Sequence, residues 1–103
     1  MDNIKLIIEN KTIYEIFKNH KIKRAYAFGS VLTDKFNKNS DLDFLINFKK
    51  EIEPLEKGEL WWNLHDKLRE LFNREIDIVI EESLKNPYFI KEIKNNKQLI
   101  YEQ

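Results

Sequence analysis

Two short stretches decide how this chain folds: Ala27-Phe28-Gly29-Ser30 and Ser40-Asp41-Leu42-Asp43-Phe44-Leu45. In the second stretch apolar and acidic residues alternate, which is the period of a β-strand with both carboxylates on one face. Both faces of residues 41–48 also carry apolar side chains, so we expect this strand to lie inside a sheet. The first stretch ends another strand, 23–28, at a glycine. These two strands are the centre around which the other elements are predicted.

Helical and strand periodicity continues on both sides of this pair. The predicted elements are a helix from Ile4 to about Asn19, a helix over 55–73, a strand over 75–80, a helix from Asn86-Pro87 to about residue 94, and at most a small edge strand at 98–101. We therefore predict one domain over residues 1–103, of the α/β (α+β) class. Its sheet is small, mixed and three-stranded, and about four helices flank it.

Composition excludes several classes of protein. Eighteen Lys and Arg residues balance eighteen Asp and Glu residues, so the chain is not a strongly basic nucleic-acid binder, and nucleic acid is not expected as a direct ligand. The absence of cysteine excludes disulfides, a thiolate nucleophile and a zinc finger. No stretch has the length of a membrane span or the pattern of a secretion signal, so we expect a cytoplasmic protein.

Three aspartates lie in predicted strands, where aspartate is disfavoured. Asp41 and Asp43 share one face, and Asp77 lies in the strand over 75–80. If the two strands are neighbours, the three carboxylates converge, and a cation must relieve their repulsion. Oxygen ligands without His or Cys favour Mg²⁺, Mn²⁺ or Ca²⁺, and two such ions can support phosphoryl transfer. The alternative is a pair of exposed aspartates at a strand edge, with Asp41 capping the preceding turn.

Gly29 and Ser30 form a second candidate site. A strand that ends in Gly-Ser before a helical turn presents backbone N–H groups and a hydroxyl to an anion, of which phosphate is the natural example. The same dipeptide is also a common turn and helix cap, and this alternative stays open for the dipeptide taken alone.

The combined pattern resembles the nucleotidyltransferase superfamily of DNA polymerase β. The residues that carry the resemblance are Gly29-Ser30, Asp41-Leu42-Asp43 after a further ten residues, and Asp77 in a later strand. The short chain, together with 81–88 and 100–102, looks like the minimal nucleotidyltransferases, the prokaryotic MNT proteins encoded beside HEPN-domain partners. The resemblance covers nearly the whole chain.

This resemblance implies a site and a reaction. Gly29 and Ser30 would hold the triphosphate of ATP, Asp41 and Asp43 would bind two Mg²⁺ ions, and Asp77 would bind the ion at the attacking hydroxyl. The reaction would move AMP from ATP to a protein hydroxyl, a tyrosine of a HEPN ribonuclease toxin, with this chain as the antitoxin. A hetero-oligomer with the toxin is expected, with a homodimer as the alternative when the chain is alone.

The sequence departs from the family pattern after Ser30. Family members commonly have a basic residue there, whereas the first cation here is Lys35, so that Lys35 or Lys38 is left to contact the triphosphate. Two other hypotheses therefore remain: a binding module that neutralises the toxin by contact alone, and nucleotidyl transfer to a small molecule. The second normally needs a further domain to hold the acceptor.

The adjacent Trp61 and Trp62 have two interpretations. They could stack a base, but neighbouring residues lie on different faces of a helix. We therefore favour one ring in the core and one exposed ring, Trp62, that faces a partner.

Overall fold

The computed structural model describes residues 5–103 as four helices and four strands, joined in two places by short 3-10 turns. In chain order they are α1 (Lys5–Ile8), α2 (Lys11–Asn19), β1 (Ile22–Phe28), a 3-10 helix (Gly29–Leu32), β2 (Leu42–Phe48), α3 (Pro54–Phe72), β3 (Ile76–Ile80), a 3-10 turn (Glu81–Ser83), α4 (Pro87–Asn95) and β4 (Lys97–Glu102). None of the helices in this range is long and apolar enough to cross a membrane.

The four strands form one mixed sheet in the order β3-β2-β1-β4. Strand β1 is antiparallel to β2 and to β4, whereas β2 and β3 are parallel. The α/β class and the interior position of β2 are confirmed. The sheet has four strands and not three, because the segment predicted as at most a small edge strand at 98–101 forms β4 (Lys97–Glu102) and pairs with β1 along the other edge. Alternation in β4 is weak, since Leu99 is exposed and Tyr101 is its one buried residue, so the sequence pattern gave little sign of the strand.

Each face of the sheet packs against different helices. On one face Leu42, Phe44 and Ile46 of β2 join the main core with Phe17 of α2 and with Leu64 of α3. Hydrophobic burial contributes about 25 cal/mol per Å² of apolar surface. Because this cluster is the larger of the two in the sheet, this face supplies most of the stabilisation from burial.

A smaller apolar cluster covers the other face of the sheet. It contains Phe28 and Leu45, with Ile93 of α4 packed on them and Val79 of β3 beside them. Because side chains alternate along a strand, Asp43 projects to the same face as Leu45. The predicted separation of the acidic and the main-core faces of β2 is confirmed.

The first predicted helix is two helices. A break at Glu9 and Asn10 separates α1 from α2, and the Asn10 side chain accepts a hydrogen bond from the Thr12 N–H at 3.0 Å. Asparagine is a good helix N-cap because its side chain satisfies an N–H group that the helix leaves unpaired. The predicted start at Ile4 lies outside the described residues.

Helix α3 covers the edge of β3 that has no neighbouring strand. The Trp61 Nε1–H donates to the carbonyl of Ile78 at 3.2 Å, and the His65 Nε2–H donates to the carbonyl of Ile76 at 3.1 Å. In a parallel pair, alternate carbonyls point away from the neighbouring strand, so these two bonds satisfy groups at the sheet edge. Trp62 is 63% exposed, which confirms the predicted division of the two tryptophans.

Candidate nucleotide and metal site

The pairing of β2 with β3 brings two of the predicted carboxylates together. Asp43 is the second residue of β2 and Asp77 the second of β3, and they are register partners in the parallel pair. Parallel strands begin at the same end of a sheet, and directly paired residues lie on the same face. The strand adjacency on which the predicted convergence depended is therefore present.

Electrostatics connects the third carboxylate to this pair. Burial of Asp43, followed by the charges of Asp77 and Asp41, raises the pKa of Asp43 to about 6. Asp41 itself is exposed and precedes the first residue of β2, so its predicted place within the strand is wrong by one position. Repulsion between carboxylates of this kind is relieved by a cation, which would lower the pKa of Asp43 again.

Gly29 lies directly against this acidic group. Its φ is +79°, in the left-handed region that glycine adopts without strain. A Cβ at this position would lie 3.3 Å from Cγ of Asp43 and closer still to its Oδ2. Glycine is therefore required twice, by the backbone turn that ends β1 and by the approach of the Asp43 carboxylate.

Ser30 follows within the 3-10 helix, as the sequence predicted for a short turn or helix. Its carbonyl accepts hydrogen bonds from the Thr33 N–H at 2.9 Å and from the Thr33 Oγ1–H at 2.8 Å. These bonds fix the turn that carries Gly29 and Ser30 next to the carboxylates. The two sequence motifs thus meet at one end of β1 and β2, where Phe28 pairs with Asp43.

Arg74, which sequence analysis did not single out, holds the loop between the two motifs. Its Nη1–H donates to the carbonyls of Asn37 and Ser40, each at 3.0 Å, and its guanidinium lies 4.6 Å from the ring centroid of Phe36. These contacts anchor the backbone immediately before Asp41. A single aromatic residue in an otherwise polar loop was the one sequence signal for this arrangement.

The cations proposed to replace the missing basic residue lie in different places. The Lys35 side chain is exposed, and Lys38 lines a surface depression of about 500 Å³ beside Arg74, which none of the five predicted site residues lines. Lys97 is the β4 partner of Phe28, but its Nζ donates to Glu81 at 3.2 Å. The contribution of Lys35 or Lys38 to triphosphate binding stays a prediction.

The donor set suits a hard cation that is shared with a substrate. Within residues 5–103, no group of three or more His, Cys, Asp or Glu side chains is arranged to hold a metal ion unaided. Magnesium usually takes one or two carboxylates and completes its shell with water and phosphate oxygens. Asp43, with its raised pKa and its partner Asp77, fits this mode of binding, in which the nucleotide supplies the remaining ligands.

The chain belongs to the polymerase beta nucleotidyltransferase family, which matches residues 11–103. The match confirms the resemblance drawn from the Gly-Ser and Asp-x-Asp motifs. A relative from Methanocaldococcus jannaschii, named "Putative protein adenylyltransferase MJ0128", is 32% identical over 84 residues, which are 82% of this chain and 80% of the relative.

Two solved structures share the fold. A toxin–antitoxin complex with AMP-PNP contains a chain that superposes with a TM-score of 0.67 at 17% identity, over all of this chain and 75% of that one. The complex of tri-AMPylated Shewanella oneidensis HEPN toxin with MNT antitoxin gives a TM-score of 0.63 at 18% identity, over 96% of this chain and 73% of the other. At these identities the likeness concerns the fold.

Proposed function

We propose that this chain is a Mg²⁺-dependent protein adenylyltransferase that moves AMP from ATP to a hydroxyl group of a HEPN-domain toxin, a tyrosine, and so acts as the antitoxin. The observation that carries the proposal is the position of Asp43, which lies between the backbone of Gly29 and the register partner Asp77. The name of the M. jannaschii relative and the AMPylated toxin of the S. oneidensis complex support the choice of reaction and partner.

In this proposal each residue has a distinct task. The backbone at Gly29 and the hydroxyl of Ser30 bind the triphosphate, since glycine lets phosphate oxygens approach N–H groups closely. Asp41, Asp43 and Asp77 would hold two Mg²⁺ ions, which when bound neutralise phosphate charge and favour ionisation of the attacking hydroxyl.

The reaction is a single displacement at phosphorus. The hydroxyl oxygen forms a bond to the α-phosphorus, the bond from that phosphorus to the oxygen bridging to the β-phosphate breaks, and pyrophosphate leaves. Asp77 helps the hydroxyl lose its proton. Most of the rate enhancement comes from positioning and charge stabilisation, so the loop anchored by Arg74 and the turn at Gly29 contribute by holding the carboxylates in place.

A second candidate is neutralisation of the toxin by contact alone. It is favoured by the departure after Ser30, because Lys35 is exposed and Lys38 lies in a different depression. Transfer to a small molecule ranks third, because the named relative and the AMPylated complex both concern a protein acceptor.

The test is the mass of the HEPN-domain partner after incubation with this protein, ATP and Mg²⁺. We expect a gain in units of AMP with the wild type and none with Asp43→Asn. The matched control is Asp66→Asn, which removes the same charge from an exposed position on α3 and should leave the mass gain unchanged. A stable complex without any mass gain would reject transfer and support the contact-only function.

A further inference from the structure

A cavity adjoins the proposed phosphate site. It has a volume of about 320 Å³ and lies between the 3-10 helix after β1 and helix α4. The residues that line it include Phe28, Gly29, Leu32, Phe89, Ile93 and Asn96. Gly29 is thus common to the cavity and to the contact with Asp43.

The cavity lies on the acidic face of the sheet. Leu45 and Val79 each follow a site aspartate by two residues and therefore share its face. Both belong to the apolar cluster formed with Ile93, which lines the cavity. A molecule bound at Gly29 and Asp43 can consequently extend into this cavity without crossing the sheet.

We propose that this cavity binds the base of the nucleotide whose triphosphate lies at Gly29 and Ser30, so the inference rests on the nucleotide site of the proposed function. Ligand cavities commonly measure about 300–1,000 Å³, and this one, at the lower end, suits a planar ring system better than a segment of protein. Its apolar lining includes the rings of Phe28 and Phe89, and aromatic rings stack on any base.

The polar end of the lining can hydrogen-bond the edge of a base. The Asn96 Nδ2–H donates to the carbonyl of Glu92 at 3.0 Å, which orients the carboxamide and leaves its Oδ1 as an acceptor. The carboxamide also keeps a second N–H, so it can pair with either a donor or an acceptor on the edge of a base.

The test compares two ligands and two neighbouring aromatic residues. Phe89 lines the cavity and is 37% exposed, whereas Tyr88 is 84% exposed and does not line it. With Mg²⁺ present, the dissociation constants of ATP and of tripolyphosphate are measured for Phe89→Ala, Phe89→Leu and the control Tyr88→Ala. We expect both Phe89 variants to weaken ATP binding by about 5- to 100-fold and to leave tripolyphosphate binding unchanged, since only the base stacks.

The outcomes separate this inference from the proposed function, because binding is measured without an acceptor protein. Equal weakening of ATP and tripolyphosphate by the Phe89 variants would overturn it, as would ATP binding no tighter than tripolyphosphate in the wild type. Unchanged ATP binding with a raised KM for the HEPN acceptor would assign the cavity to the acceptor instead. Base-dependent ATP binding without AMP transfer would support the cavity and reject the transferase.

Discussion

Replacing Gly29 with alanine perturbs the backbone and the site at the same position. A residue with a Cβ at φ +79° loses about 1–2 kcal/mol relative to glycine, because the side chain approaches its own backbone. The new Cβ also lies 3.3 Å from Cγ of Asp43, and it meets the carboxylate oxygen more closely still. The Asp43 carboxylate can rotate away, so the expected loss in the free energy of unfolding remains about 1–2 kcal/mol.

The cost to the site is much larger than the cost to stability. When the Asp43 carboxylate moves, it loses its position relative to Asp77 and to the bound phosphates. A displacement of about 1 Å in a catalytic group can lower a rate about 100-fold. We therefore expect Gly29→Ala to remain folded at room temperature and to lose about 100-fold or more in AMP transfer.

The other glycine of the chain supplies the control. Gly58 lies within α3, and a Cβ there would meet nothing within 4 Å. Alanine is favoured over glycine in a helix by about 0.5–1 kcal/mol, so Gly58→Ala should be more stable than the wild type and equally active. The same substitution therefore lowers the free energy of unfolding at Gly29 and raises it at Gly58.

Urea unfolding followed by tryptophan fluorescence measures both variants, and thermal unfolding gives a second reading. A change of 1 kcal/mol shifts the Tm of a domain of this size by about 4–8 °C. The reasoning would be refuted if Gly29→Ala matched the wild type in stability and in transfer. It would also fail if Gly58→Ala were destabilised, because the difference between a left-handed turn and an open helix position would then have no effect.

Three further predictions concern other contacts. Since folding raises the pKa of Asp43 to about 6, the folded state binds this proton more tightly than the unfolded chain, and ionised Asp43 destabilises the fold at pH 7. After allowance for solvent screening, Asp43→Asn should be about 1 kcal/mol more stable than the wild type at pH 7. This gain should disappear near pH 4, where Asp43 is protonated in the folded protein. An equal gain at both pH values in urea unfolding would contradict this. Arg74→Ala should lower the free energy of unfolding by about 1–3 kcal/mol and reduce AMP transfer. Arg74→Lys should restore little, because an ammonium group lacks the planar fork of the guanidinium. Full transfer by Arg74→Ala would show that the loop needs no anchor. Trp61→Phe should lower the free energy of unfolding by about 0.5–1.5 kcal/mol at constant activity, since the hydrogen bond to the Ile78 carbonyl disappears while a smaller aromatic ring remains. An unchanged Tm would count against that bond.

The central part of the fold was predictable because its residues obey one strong period. Alternation through Leu42, Asp43 and Phe44 gave a strand, its core face and its acidic face, and each of these is present. The approach of Asp77 depended on which strands pair, and that was open in the sequence. The approach of Asp77 to Asp43 followed once the strands over 41–48 and 75–80 were assumed to be neighbours.

The parts that escaped prediction depend on contacts distant in sequence or on single polar side chains. The break at Asn10 rests on one capping side chain inside an otherwise continuous apolar period. Strand β4 is stabilised by pairing with β1 and buries few side chains, so its pattern is faint. Arg74 acts through backbone carbonyls on a loop more than thirty residues earlier, and carbonyl acceptors leave no trace in the sequence.

The hydrogen bonds from Trp61 and His65 to β3 also bear on self-association. An uncovered edge strand can recruit a strand from another molecule and so start ordered aggregation. Here an incoming strand would have to displace two ring N–H groups, each worth about 0.5–1.5 kcal/mol, before it could pair with the carbonyls of Ile76 and Ile78. A chain proposed to bind another protein thus keeps its β3 edge closed to copies of itself, which limits polymerisation without limiting contacts made by side chains elsewhere.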